Sequence, residues 1–311
     1  MTPLRLAVVG AGPMGRLHAR AIARRSERIG DCVLGYVVDR NLSRSESVAE
    51  EFGGQAVESL DGCWGEVDGA VVAVPTRSHG DVTRALLEHA VDVLVEKPMC
   101  ATLTEAREVA RLALDHGRIL AVGHVEWFNA TLRDAVRRAG TPRRIEVVRL
   151  NPRTDRGLDI DVVQDFMLHD LDWVGRIVRD DLVDVEASGR MVVNRQLDEA
   201  EADLLFASGI RARLRVSRVH SQRTRSVRIE GSDATVDVDL LEHPEAGAHE
   251  PTKARNDGIE PLDAEWADFL DACRSRKTPE NDAAVGIAAI EMVERVRAAI
   301  AQRTPRGGGE S

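Results

Sequence analysis

Short apolar runs alternate with amphipathic segments across the first 123 residues of the chain. The runs have the length of strands, and the segments between them carry apolar residues at helical spacing. Strands that are apolar on both faces and separated by helices form a parallel sheet with helices on both sides. The pattern therefore predicts an α/β domain with a doubly wound parallel sheet over residues 1–123, with strands at LRLAVVG, CVLGYVVDR, GAVVAVP, DVLVEKP and ILAVGH.

The pattern changes after residue 123, where strands follow one another without helices between them. Such a cluster is typical of a mostly antiparallel sheet. We therefore predict a second, α+β domain over residues 124–303 with an open sheet, followed by a flexible glycine-rich tail at 304–311. The predicted strands of the sheet lie in VDVEASGRMVV, EADLLFAS, IRARLRVSRV, RSVRIEG and ATVDVDL.

Composition excludes several classes of function. The 311 residues carry a formal net charge of −10, which argues against a nucleic-acid partner, because such proteins need a basic face. No apolar run approaches the roughly 20 residues that cross a bilayer, and no secretory signal is recognisable. The four cysteines are scattered, which favours reduced thiols in the cytoplasm. We expect no metal site, because the histidines and glutamates of the 243–261 loop match no metal-binding spacing.

A glycine-rich loop with the sequence GAGPMG joins the first strand to the first helix. In a G-x-G-x-x-G loop the first glycine permits a tight turn, the second lets a pyrophosphate approach the backbone, and the third lets helix and strand pack closely. The helix N-terminus also favours phosphate. Its place in the β–α pattern indicates a dinucleotide-binding Rossmann domain, and we assign the phosphate contacts to Gly10, Gly12, Pro13, Met14 and Gly15.

The residues that end the second strand bear on the choice of cofactor. The carboxylate of Asp39 is placed to accept both ribose hydroxyls of the adenosine half, and it repels a 2′-phosphate, which favours NAD. Arg40 follows directly and would hold the 2′-phosphate of NADP. We predict NAD as the cofactor, and NADP stays open as the alternative.

Lys97 is conspicuous because the chain has only three lysines. It lies in the sequence Glu96-Lys97-Pro98 at the carboxyl end of a predicted parallel strand, the edge at which open α/β sheets bind ligands. A lysine there stabilises a developing alkoxide. Glu96 would orient the ammonium or contact the nicotinamide side.

A second group of polar residues lies in DFMLHDLD, predicted as a helix. Asp165 and His169 are four residues apart and share a helical face, and Asp172 continues the same stripe. A histidine held by a carboxylate is the usual base for removing an alcohol proton at neutral pH. Taken alone, the group is more typical of an acidic helix cap beside a buried core histidine.

Together these motifs resemble the Gfo/Idh/MocA family of oxidoreductases over nearly the whole chain. The resemblance implies a Rossmann domain, a second domain whose open sheet commonly forms the oligomer interface, and hydride transfer between a nicotinamide cofactor and a sugar or cyclitol hydroxyl. It implies that Lys97, Asp165 and His169 are catalytic. It also implies that Glu96 and Lys97 lie beside the cofactor and that a loop passes next to it. The loop residues are Val74, Pro75, Thr76 and His79.

Two segments, VGHVEWFN at 122–129 and DIDVVQD at 159–165, resemble the subgroup that oxidises the 3-hydroxyl of UDP-N-acetylglucosamine. Trp127 departs from the arginine expected there. A nucleotide diphosphate needs several cationic donors, a role that suits Arg153 and Arg156 in the loop before the predicted catalytic helix. The full set of predicted substrate residues is Lys97, His124, Arg153, Arg156, His169 and Asp172. Another sugar, an inositol, or a non-catalytic dinucleotide-binding regulator remain alternatives. We predict a small-molecule sugar or nucleotide-sugar substrate and a homodimer or homotetramer.

Overall fold

The computed structural model describes residues 2–153, 160–193, 195–241 and 260–303. The chain divides into two compact units. The first unit comprises the described residues within Met1–Phe128 and Glu245–Ile287, and the second comprises those within Asn129–Pro244 and Ala288–Ser311. In the described part of the chain, no helix combines the length and the apolar character that a membrane crossing requires.

The first unit contains a six-stranded sheet in the order β3-β2-β1-β4-β5-β6, and every neighbouring pair is parallel. This confirms the predicted parallel sheet. The fourth and fifth strands are buried along their whole length and the first from Leu6 onward, because helices cover both faces of the sheet. The strands are β1 (Leu4–Val9), β2 (Cys32–Val38), β3 (Gln55–Val57), β4 (Gly69–Val72), β5 (Asp92–Glu96) and β6 (Leu120–Gly123).

Five helices belong to the first unit by their contacts. Four of them alternate with the strands: α1 (Pro13–Arg28), α2 (Leu42–Phe52), α3 (His79–Glu88) and α4 (Leu103–Asp115). The fifth, α7 (Pro261–Ser275), comes much later in the chain, and its Trp266 and Phe269 lie in the same apolar core as Leu6 and Ile22. This differs from the sequence-based division, which placed the segment with the second domain. The local helical pattern of α7 did not reveal which core its apolar face joins.

The second unit contains a six-stranded sheet in the order β12-β11-β7-β10-β9-β8. Only β7 and β10 pair in parallel, which confirms the mostly antiparallel prediction. The helices of this unit are α5 (Ala130–Ala139), α6 (Leu168–Val178) and the later part of α8 (Ala283–Arg303). The strands are β7 (Pro142–Leu150), β8 (Leu182–Arg190), β9 (Glu199–Phe206), β10 (Arg211–Ser217), β11 (Thr224–Gly231) and β12 (Thr235–Asp239).

The second sheet has one apolar face and one charged face, as the period-2 alternation of its strands requires. On β10 the residues Ala212, Leu214 and Val216 are buried, whereas the arginines between them are exposed. Arg213 forms an ion pair with Glu201 on the neighbouring strand β9. The same face carries further exposed pairs, among them Arg228–Asp237, Arg190–Glu199 and Arg144–Glu146.

Candidate functional site

The glycine loop after β1 has no space for side chains at its first and third glycines. Gly10 has a φ of +102°, and a Cβ there would lie 2.5 Å from the carbonyl oxygen of Ala73. A Cβ at Gly15 would overlap the carbonyl oxygen of Gly10. Gly12 is different, because a Cβ there would meet no heavy atom within 4 Å. The first and third glycines therefore serve the fold, and the second leaves open space beside the backbone.

The N-terminus of α1 fits a phosphate group. Gly12 is the N-cap residue, Pro13 follows it, and no side chain caps the helix. The backbone N–H groups of a first helical turn have no partner inside the helix, so they are available to an anion. Together with the open space at Gly12, this end of the helix suits the pyrophosphate of a dinucleotide.

Asp39 lies at the end of β2 and contacts the glycine loop. Its Oδ2 accepts a hydrogen bond from the backbone N–H of Ala11 at 2.8 Å, and its Oδ1 accepts one from Asn41 at 2.8 Å. These two bonds fix the orientation of the carboxylate, and each oxygen retains a further lone pair for a ribose hydroxyl. Arg40 is exposed. The geometry suits the predicted ribose contact of Asp39.

The Glu96-Lys97-Pro98 turn follows β5 in the same sheet. Glu96 is 8% exposed, and its Oε2 accepts the backbone N–H of Lys97 at 3.1 Å. Its Oε1 lies 2.8 Å from Nε2 of His18. Burial alone would raise the pKa of Glu96, but the hydrogen bond from His18 and the neighbouring Lys97 lower it below its ordinary value. The Glu96 side chain is therefore a buried carboxylate at neutral pH.

The loop between β4 and α3 contains the predicted cofactor residues Val74, Pro75 and Thr76, and His79 begins α3. The ring of His79 is buried, with Nε2 2.9 Å from the carbonyl oxygen of Val74 and Nδ1 2.8 Å from that of Pro98. Both ring nitrogens thus face backbone oxygens. His79 joins this loop to the turn that contains Lys97.

In the second unit, Asp165 and His169 lie at the start of a helical segment that is not regular. Residues Val163–Met167 form a π-helical turn, and the α-helix α6 begins only at Leu168. The expectation of a continuous α-helix is therefore wrong at its first turn. Asp161 caps this turn, because its Oδ1 accepts the backbone N–H groups of Val163 and Gln164, each at 3.0 Å. His169 is 8% exposed, and Asp165 is half-buried.

Buried ion pairs hold α6, and sequence reasoning missed them. Asp170, next to His169, accepts two hydrogen bonds from Arg149 on β7, at 2.7 and 3.0 Å, and both side chains are almost fully buried. Asp172 accepts a hydrogen bond from Arg176 at 2.9 Å and is 4% exposed. The available signal was the position of Arg149 among apolar residues of a strand, where an arginine needs a buried carboxylate partner.

The remaining predicted substrate residues differ in their exposure to solvent. His124 is 1% exposed, and Arg153 is exposed. Arg156 and the 243–261 loop, apart from residues 260 and 261, lie outside the described residues. Trp127, which departs from the expected arginine, donates its indole N–H to Glu280 at 2.8 Å. The roles of these residues stay predictions.

Comparison with known proteins agrees with this architecture. The profile of a family described as an oxidoreductase family with an NAD-binding Rossmann fold matches residues 4–124. The UDP-N-acetylglucosamine 3-dehydrogenase of Acidithiobacillus ferrooxidans is 32% identical over 96% of this chain and 98% of its own length. The chain belongs to the Gfo/Idh/MocA family. Membership makes this Gfo/Idh/MocA protein an oxidoreductase, and the match covers both of its units.

Solved structures extend the comparison to the fold. A structure of the same Acidithiobacillus ferrooxidans enzyme superposes with a TM-score of 0.86 at 32% identity, covering 96% of this chain and 98% of that one. GenD2 from gentamicin A biosynthesis, solved in complex with NAD, has a TM-score of 0.83 at 21% identity, covering 97% and 95% of the two chains. The latter likeness concerns the fold alone. The predicted fold class, with a parallel Rossmann sheet and a mostly antiparallel second sheet, is confirmed.

Proposed function

We propose that this protein is an NAD-dependent dehydrogenase that oxidises the 3-hydroxyl of UDP-N-acetylglucosamine to a ketone. The observation that carries the proposal is the 32% identity, over 96% of this chain, to the UDP-N-acetylglucosamine 3-dehydrogenase of Acidithiobacillus ferrooxidans. Identity of this extent includes the second unit, which supplies Asp165 and His169. A likeness restricted to the Rossmann domain would support the cofactor alone.

The proposed cofactor contacts all belong to the first unit. The open backbone at Gly12 and the uncapped N-terminus of α1 would hold the pyrophosphate, and Asp39 would accept the ribose hydroxyls. NAD, when bound, supplies the hydride acceptor. The fixed negative charge of Asp39 disfavours a 2′-phosphate, which supports NAD over NADP.

The proposed chemistry divides between Lys97 and His169. His169 removes the hydroxyl proton, as a histidine suits this task near neutral pH. Lys97 stabilises the negative charge that develops on the same oxygen, and Asp165 supports the histidine as its carboxylate partner. The hydride leaves the carbon that carries this oxygen, so the alcohol is oxidised to a ketone and one proton is released.

Cofactor preference is tested with Asp39. We expect the wild type to bind NAD more tightly than NADP, measured by titration calorimetry, and we expect Asp39→Ala to lose most of this preference. Arg40→Ala is the matched variant, and it should leave NAD binding unchanged. Tighter binding of NADP by the wild type would show that Arg40 and not Asp39 controls the choice.

The substrate is tested by following reduced-cofactor absorbance with a panel of nucleotide sugars, free sugars and inositols. We expect turnover with UDP-N-acetylglucosamine and much less with free N-acetylglucosamine, since the free sugar lacks the diphosphate. Turnover of an inositol or a free sugar in place of the nucleotide sugar would refute the substrate while leaving the dehydrogenase assignment intact.

We also propose that the protein is a homodimer or homotetramer that uses the charged face of the second sheet. Its exposed arginines and carboxylates alternate in sign, so a second copy can pair with them. Such an interface is sensitive to screening by salt. Light scattering should show an oligomer whose dissociation increases with ionic strength, and a monomer at high protein concentration would contradict the proposal.

A further inference from the structure

A chain of buried hydrogen bonds lies behind Glu96. The indole N–H of Trp266 donates to Nδ1 of His18 at 3.1 Å, and Nε2 of the same ring lies 2.8 Å from the Glu96 carboxylate. Both rings are fully buried, at 0% and 1% exposure. An indole nitrogen only donates, so Nδ1 of His18 is the acceptor and the ring proton is on Nε2. His18 therefore donates to Glu96.

This chain ends on the backbone of Lys97. The second carboxylate oxygen of Glu96 accepts the Lys97 N–H at 3.1 Å. A buried carboxylate that loses a hydrogen-bond donor bears a desolvation cost, which favours the arrangement in which the donor is kept. The hydrogen bond from His18 therefore fixes the position of the Glu96 carboxylate. That carboxylate in turn holds the backbone N–H of Lys97.

A second buried histidine holds the other side of the same turn. His79 is 2% exposed, and its two ring nitrogens lie 2.8 Å from the carbonyl oxygen of Pro98 and 2.9 Å from that of Val74. A carbonyl oxygen only accepts and a neutral imidazole has one ring N–H, so His79 donates to one of the two carbonyls in either tautomer and to both only as an imidazolium. The turn is thus contacted by one histidine at Glu96 and by another at Pro98, one residue on either side of Lys97.

We propose that His18, oriented by Trp266, and His79 are positioning residues that hold the Glu96-Lys97-Pro98 turn from both sides. Neither ring has a nitrogen left for substrate or cofactor, so both histidines act through Lys97. This proposal rests on the proposed function only for the role of Lys97 in turnover. The hydrogen bonds and their effect on Lys97 exist independently of any substrate.

The first experiment measures the position of Lys97 without using activity. The chain has only three lysines, so labelling of the NAD-saturated protein with a lysine-directed acylating reagent can be resolved by peptide mass spectrometry. The quantity is the rate at Lys97 relative to exposed Lys277. We expect His18→Leu and His79→Leu to raise this ratio severalfold, because the turn loses an anchor. His18→Gln should stay close to wild type, because its amide N–H can replace Nε2–H.

The matched control is His89→Leu. This histidine lies in the same unit but stacks on Trp64, with ring centroids 3.8 Å apart, and its Nδ1 contacts Ala85 in its own helix. Its substitution should leave the labelling ratio unchanged. If His89→Leu raises the ratio as much as His18→Leu does, the effect is general loosening and the proposal is wrong.

The second experiment measures turnover in the same variants. We expect the two leucine variants to lower kcat by up to about 100-fold with little change in the KM for NAD, since a misplacement of about 1 Å has this effect. His18→Gln should recover most of the rate. Folded leucine variants with wild-type labelling and wild-type kcat would overturn the proposal. If wild type oxidises no sugar in the panel, the proposed function fails, and the labelling ratio still decides the inference.

Variants that fail to fold are replaced by milder ones. Trp266→Phe keeps an aromatic ring in the core but removes the N–H that orients His18, and His79→Gln retains one amide N–H. Each should raise the labelling ratio in the same direction by a smaller factor. Wild-type ratios in both would overturn the proposal.

Discussion

In the first unit the turn around Lys97 is held through its main chain, whereas in the second unit the helix after His169 is held through side chains. His18 donates to the Glu96 carboxylate, which accepts the Lys97 N–H. His79 contacts the Pro98 carbonyl oxygen. Arg149 acts on the carboxylate of Asp170. A turn after a strand has unpaired backbone groups that a side chain can anchor, but the backbone groups within a helix are already bonded to each other.

This difference has an energetic consequence. Hydrogen bonds from a histidine to backbone or carboxylate groups contribute about 0.5–3 kcal/mol each, so their loss displaces a turn without unfolding a domain. A buried ion pair is different, because removal of one partner leaves an uncompensated charge in the interior. Substitutions around Lys97 should therefore change rate more than stability, and substitutions around α6 should change both.

The largest expected effect is the loss of kcat on substitution of Lys97 in the first unit or His169 in the second. Lys97→Ala should lower kcat by about 10²–10³ through loss of charge stabilisation, and His169→Ala by about 10²–10⁴ through loss of proton transfer. Both variants should bind NAD with nearly wild-type affinity by calorimetry. The double variant should lose less than the product of the two factors, because the proposed mechanism assigns both groups to one oxygen. Near-normal turnover in either single variant would remove that residue from the mechanism.

The next effect tests the buried pair of the second unit. Asp170→Ala leaves Arg149 charged and buried, so the free energy of unfolding should fall by about 3–5 kcal/mol in denaturant titrations. The double variant Arg149→Met/Asp170→Leu should recover much of this loss. Asp203→Ala, which affects an exposed ion pair of the same unit, should cost no more than about 1 kcal/mol. Equal losses in the buried and exposed variants would show that burial does not set the contribution of the Arg149–Asp170 pair.

The third effect separates folding from binding within the glycine loop. Gly15→Ala should lower the free energy of unfolding by at least about 1–3 kcal/mol, because its Cβ would overlap the Gly10 carbonyl. Gly12→Ala has space for its Cβ, so it should keep wild-type stability but bind NAD more weakly. Calorimetry and thermal unfolding of the two variants give both quantities. A stable Gly15→Ala variant would show that the loop is more tolerant than its geometry indicates.

The smallest effect is a pH dependence that arises from Glu96. The pKa of Glu96 is lowered in the folded state, so the folded protein gains stability above the unfolded value of about 4.3. This gain is lost as the pH falls through the lowered pKa. The stability difference between wild type and Glu96→Gln should therefore be constant from neutral pH to about 4.3 and shrink below it. A difference that grows on acidification would show that the pKa is raised instead.

Several elements were predictable because their signals are local. The apolar β1 and β4 strands, the G-x-G-x-x-G loop and the Asp39 that ends β2 lie within about 70 residues, and each has a periodicity or a spacing that a single segment reveals. The scarcity of lysine singled out Lys97. The π-helical turn at Val163–Met167 was not predictable in this way, since α and π helices differ by one residue per hydrogen bond and a five-residue segment is too short to distinguish their periodicities.

What the sequence by itself determined is the order of elements, the position of the dinucleotide loop and the residue types with which the chemistry can be carried out. Only the tertiary structure decided which distant residues hold them. Trp266 lies 248 residues after His18, and Asp170 lies 21 residues after Arg149. The physical reason is that periodicity reports whether a side chain is buried, but a buried donor takes the acceptor that folding places beside it. That choice depends on three-dimensional packing and leaves no spacing in the chain.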